Sequence, residues 1–149
     1  YCTIMNDNEL ALDTYVKLLR AESNITSIVA FEESEASGLT LSQFGVLEAL
    51  YHKGDLTAKD LSEKILKTKG NLTLVIDNLQ KKGFIERRRC ELDRRKTYIH
   101  LTSEGKDLIK NIFPRHVRSI LNCMTALTRE EQEQLGSLCK KLGKGQKES

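Results

Sequence analysis

The segment Ile65–Thr102 constrains this chain most, because the period of its apolar residues changes partway along it. Leu72, Val75, Ile76 and Leu79 recur at helical spacing, which predicts a helix with one buried stripe, capped by Thr68 and running to about Lys82. Gly83 follows as a natural stop. Phe84 and Ile85 then open a strand, and Thr97, Ile99 and Leu101 alternate with Tyr98 and His100 in a second one. Between them, Cys90 to Arg95 suits only an exposed loop. The pattern predicts a helix beside a basic hairpin. Duplex DNA offers a matching surface, a groove for the helix and phosphates for the flanking cations.

Charge distribution sharpens this expectation more than total charge does. The chain has 149 residues and a net charge of only +3. From Lys81 to Lys96, however, eight cations (Lys81, Lys82, Arg87, Arg88, Arg89, Arg94, Arg95, Lys96) face three anions (Glu86, Glu91, Asp93), a local charge of +5. The positive field is therefore local, as expected of a docking face for a polyanion.

Other features set limits. A hydrophobic content of 39% is enough for one domain with an ordinary core. No apolar run is long enough to span a membrane, so no membrane partner is expected. Cys2, Cys90, Cys123 and Cys139 form no CxxC pair, which argues against a zinc knuckle or a disulfide framework. With no secretory signal in view, a reducing, cytoplasmic setting is expected. Tyr1 is not an initiator Met, so a few residues are expected ahead of it.

The rest of the chain reads as helical. Residues 8–31 carry Leu12, Tyr15, Leu19, Ile25 and Ile28 at helical spacing, and Gly38 and Leu39 break the run. A second helix starts near Ser42 and stops at Gly54 and Asp55. Thr57 and Asp60 form a capping box for a short helix to about Ile65. Thr102 opens another helix, which Pro114 is expected to kink or divide. Thr128 and Glu131 cap a last helix to about Leu142, and residues 143–149 read as a flexible tail.

Helix, short helix, helix, two-stranded wing is the order of a winged helix-turn-helix. The fold expected is therefore mainly α with a small two- to three-stranded β-wing. The winged unit spans residues 39–102, and residues 8–31 and 103–142 form helical regions on either side. Both flanks carry apolar stripes that the small winged unit has little surface to cover. A second copy of the chain is expected to cover them, giving a homodimer. Two-fold symmetry then sets two recognition helices roughly 34 Å apart along the duplex.

Three stretches carry a family resemblance: LTLSQFGVLEALYHKGDLTAKDLSEKI, KGNLTLVIDNLQKKGFIERRRCELDRRKTYIHLTSEG and LTREEQEQLGSLCKKLG. From Leu39 to Gly143 the chain resembles the MarR family, the multiple-antibiotic-resistance regulators. The Asp-x-Arg wing followed by an LTxEG signature is the most specific part of the match. The first helix fits by position only. The resemblance implies a dimeric repressor, sometimes an activator, on palindromic operators, and a small-molecule effector or an oxidant that relieves binding. It implies no enzyme activity and no cofactor.

Site roles follow from the same resemblance. Lys69, Gly70, Asn71 and Thr73 occupy the exposed start of the recognition helix. Asn71 there suits adenine, and Lys69 suits guanine or a phosphate. Arg95 matches the wing-tip arginine that enters the minor groove, and Asp93 matches the carboxylate that holds it. A guanidinium is drawn to a narrow, strongly negative groove. Arg87, Arg88, Arg89, Arg94 and Lys96 are then phosphate contacts. Family members often carry arginine where this chain has Leu74, and again where it has Asn78.

The isolated histidines His52, His100 and His116 suit structural or surface roles, since none has a second His or Cys at i+3 or i+4. Cys90 reads as an exposed surface cysteine in the wing loop, and Cys123 and Cys139 as small core or interface residues. Two other classes of function stand beside DNA binding. A winged-helix unit can serve as a protein-interaction module without sequence-specific DNA binding. A thiol or metal enzyme is the other, but the chain offers neither a nucleophile–base pair nor a ligand cluster for it.

Overall fold

The computed structural model describes residues 5–65 and 71–145. In chain order these form α1 (Asp7–Ser37), α2 (Leu41–Lys53), β1 (Leu56–Thr57), α3 (Ala58–Lys64), α4 (Leu72–Lys81), β2 (Ile85–Arg89), β3 (Thr97–Leu101), α5 (Ser103–Met124) and α6 (Arg129–Lys144). The three strands make one antiparallel sheet in the order β1-β3-β2. The expected winged helix-turn-helix, flanked by helices, is the fold observed.

Local chemistry places most of the helix starts. Thr57 and Asp60 form the expected capping box at α3, with Thr57 donating to Asp60 Oδ2 from both its hydroxyl (2.7 Å) and its backbone N–H (3.0 Å). These two bonds hold the Asp60 carboxyl below its ordinary range. Thr128 and Glu131 form the expected box at α6, where the Thr128 N–H donates to Glu131 Oε2 (2.8 Å) and the Glu131 N–H to Thr128 Oγ1 (3.2 Å). Asn6 with Glu9 and Thr40 with Gln43 cap α1 and α2.

Several boundaries differ from expectation. The first helix runs on past Phe31 to Ser37, because Glu32–Ser37 contains no breaker and Glu33 is buried against α5. It ends at Gly38, whose φ of +67° suits glycine. Thr68 lies outside the described residues, and the cap of α4 is Asn71. Pro114 does not divide α5, which continues from Ser103 to Met124. Pro114 and Lys110 both lie on the exposed side, so the Lys110 carbonyl that proline leaves without its helical partner is near water. Ile109, Ile112, His116 and Ser119 are buried on the opposite side and hold the helix on course. The last helix reaches Lys144, so Gly143 and Lys144 are helical rather than part of a flexible tail.

One apolar cluster joins the winged unit to α5. Phe44, Val46 and Leu47 of α2, Leu61 of α3, Ile76 and Leu79 of α4, Ile85 of β2, Ile99 of β3 and Ile109 of α5 are all buried in it. Each such side chain contributes about 2 kcal/mol by leaving water. The result is a rigid seat for α4 and the hairpin. Much of α1, by contrast, is exposed in the single chain, and α6 buries no residue at all. Among the described residues, no helix is long and apolar enough to cross a membrane.

Candidate nucleic-acid interface

The hairpin and α4 stand side by side, joined by the turn at Gly83, where φ is +79°. Phe84 N–H donates to Leu79 O (3.1 Å), and Thr102 Oγ1 donates to Gly83 O (2.6 Å), which fixes the base of the wing. Strands β2 and β3 then pair from Ile85↔Leu101 to Arg89↔Thr97. At the far end Cys90 N–H donates to Lys96 O (2.9 Å) and Lys96 N–H to Asp93 O (2.9 Å), closing a tight wing-tip loop.

Asp93 holds Arg95 through the backbone. Its Oδ1 accepts from the Arg95 N–H at 3.1 Å, so the carboxylate shapes the turn and leaves the guanidinium outward. Arg89, Arg94, Arg95 and Lys96 are all exposed, and none makes an ion pair among the described residues. Arg88 lies 3.5 Å from Glu86, which also approaches the buried His100 at 3.3 Å. Arg87 is placed differently from the other wing cations. Its guanidinium donates to Asp77 Oδ1 and Gln80 Oε1, both at 2.5 Å.

On α4, Ile76 and Leu79 are buried, whereas Thr73 and Leu74 are exposed. Asn71 is exposed too, but its Oδ1 accepts the Leu74 N–H at 3.4 Å, so it works as the helix cap. Lys69 and Gly70 lie outside the described residues. Residue-by-residue reading passed over Leu92, which is 99% exposed at the wing tip. An apolar residue inside a charged loop was the available signal. It also passed over Asp77 and Gln80, whose role depends on a partner on another element.

Of the other singled-out residues, His100 and Cys90 belong to the wing itself, on β3 and in the wing-tip loop, whereas His116, Cys123 and Cys139 lie on α5 and α6. His100 and His116 are buried. Cys139 is exposed on α6 and so is not a core residue; Cys123 and Cys90 are half-buried, although exposure was expected for Cys90. A cavity of about 1070 Å³ opens between α1, α2, the end of α3 and α5, with Phe44, His52, Lys64, Ile65 and His116 in its walls.

The model of the MarR family matches residues 39–97, from just before α2 to the start of β3. The HTH-type transcriptional regulator MhqR of Bacillus subtilis is 34% identical over 135 residues, covering 91% of this chain and 92% of the relative. The chain belongs to the MarR family. As a member it is a DNA-binding transcriptional regulator. Sco3205 of Streptomyces coelicolor, a MarR-family regulator solved in complex with DNA, superposes on this MarR-family chain with a TM-score of 0.84. That alignment is 21% identical and covers 100% of this chain and 94% of Sco3205. BpsR of Bordetella bronchiseptica, whose DNA binding is regulated by 6-hydroxynicotinic acid, gives a TM-score of 0.79 at 23% identity, covering 88% and 98%. Both share the fold of this MarR-family chain.

Proposed function

We propose that this chain is a homodimeric repressor that binds palindromic operator DNA and is released by a small-molecule or oxidant signal. One observation carries the DNA side of this reading. Arg89, Arg94, Arg95 and Lys96, none of them ion-paired among the described residues, project from a hairpin that is fixed beside the exposed face of α4. In this reading Arg95 enters the minor groove and Asp93 fixes the turn that presents it. Arg88, Arg89, Arg94 and Lys96 meet phosphates, and Thr73 reaches the major groove. Lys69, Gly70 and Asn71 enter by their family positions at the helix start.

The terminal helices support the dimer. With 31 residues, α1 is about 46 Å long, and Leu12, Tyr15 and Leu19 lie exposed along its first half. Leu135, Leu138 and Leu142 lie exposed along α6. Apolar stripes exposed on two helices mark a surface that another protein surface covers, here a second copy of the chain. This reading puts the signal molecule in the cavity beside His116, where the winged unit meets α1 and α5, and the regulation of BpsR by 6-hydroxynicotinic acid supports a small-molecule signal.

Selection of bound duplexes from a random pool, with sedimentation of the free protein, tests the reading. A palindrome and a dimer mass are expected. Recovery of no enriched sequence would leave the chain without a specific operator and contradict the proposal.

A further inference from the structure

We propose that Arg87 is a positioning residue of the DNA interface, a clamp that locks the wing to α4 through Asp77 and Gln80. This rests on the reading that α4 and the wing face the same duplex. Arg87 occupies β2 two residues after Ile85, so both project from the same face of the strand, the face that covers α4. Asp77 and Gln80 are three apart on α4 and therefore neighbours on its surface. Their oxygens take one arm each of the planar guanidinium, both at 2.5 Å. Among the described residues, these are the hydrogen bonds that join the hairpin to α4 beyond the turn at Gly83.

The clamp has an electrostatic consequence. Asp77 is a carboxylate on a helix that meets a polyanion, where an unpaired anion repels phosphate. Arg87 neutralises it and sets the angle between wing and helix. The wing tip and α4 must reach different grooves at once, so that angle governs whether both can engage. Arg87 therefore serves DNA through geometry, with both arms already occupied.

Charge alone and the clamp predict opposite signs for one substitution. Asp77→Ala removes a negative charge and frees Arg87, so electrostatics alone predicts tighter duplex binding. The clamp predicts weaker binding, by roughly tenfold for a lost coupled contact of this kind. Fluorescence anisotropy with a labelled duplex recovered from the random pool reads the difference, and thermal melts confirm folding. Arg87→Gln should match the loss, the double variant should be no worse than either single one, and the slope of log K against log salt should not change. Arg87→Lys keeps the charge but not the two-armed fork, so it should also lose affinity; this variant decides the matter if Asp77→Ala does not fold. Wild-type or tighter binding by Asp77→Ala, additive losses, or full function of Arg87→Lys would overturn the clamp while wild-type binding keeps the DNA reading intact. Absence of salt-dependent binding by the wild type would overturn both.

Discussion

Glu33 Oε1 lies 2.9 Å from Nδ1 of His116 in a buried contact that ties α1 to α5. The His116 ring also stacks on Phe44 of α2, with centroids 4.2 Å apart. One imidazole thus joins the winged unit to both flanking helices. Next to it, Ser119 Oγ donates to Glu32, a second link between α5 and α1.

Glu33 should make stability depend on pH. Burial raises its carboxyl above the usual carboxylate range, and the neighbouring His116 and Arg115 only partly offset this. Its Oε2 is buried with no hydrogen-bond partner among the described residues. A folded-state pKa above the unfolded one stabilises the protein fully below the ordinary carboxylate range, and that stability is lost as pH rises through the raised value. Glu33→Gln removes the titration and keeps an acceptor for His116. In urea unfolding over that range the variant should gain on the wild type as pH rises; a constant or shrinking difference would contradict it.

Gly105 should tolerate no side chain. A Cβ built there would lie 2.0 Å from the Phe84 carbonyl oxygen, a backbone atom that cannot swing aside. That carbonyl accepts the Thr102 N–H, so a shift would loosen the base of the wing as well. Gly105→Ala is expected to destabilise the fold by at least about 2 kcal/mol, measured by thermal or urea unfolding. A wild-type midpoint would show that α5 can move away freely.

These two sites show what was legible in the sequence. The boxes at Thr57–Asp60 and Thr128–Glu131 span three residues each, so local spacing revealed them. The wing was legible because a change of period marks it. Glu33 and His116 are 83 positions apart, and only packing brings them together. Pro114 was misjudged for the same reason, since a local rule meets a helix whose buried side holds it in line. The tie of Arg87 to Asp77 escaped because a row of arginines looks alike until one of them meets a partner on another element.

Asn71 gives a separable test of capping and base readout. Serine caps about as well as asparagine, whereas alanine loses about 1 kcal/mol. Asn71→Ala should lower stability by that amount, and Asn71→Ser should leave it unchanged in the same urea titration. Equal stability of all three would show that the 3.4 Å bond to Leu74 N–H contributes nothing. A changed binding-site profile in the stable Asn71→Ser protein would add base contact to the role of this residue.

The most direct test of the DNA interface is the affinity of wild type and Arg95→Ala for a selected duplex across a salt series. The Arg95 side chain pairs with no carboxylate among the described residues, and the backbone bond to Asp93 survives in alanine, so its loss should leave the fold intact. Log K for the wild type should fall steeply with log salt, by about 0.9 for each phosphate neutralised. Arg95→Ala should bind at least about tenfold more weakly at fixed salt, as expected for loss of one well-placed groove contact. A flat salt response, or wild-type affinity in Arg95→Ala, would contradict the wing as the DNA-binding element.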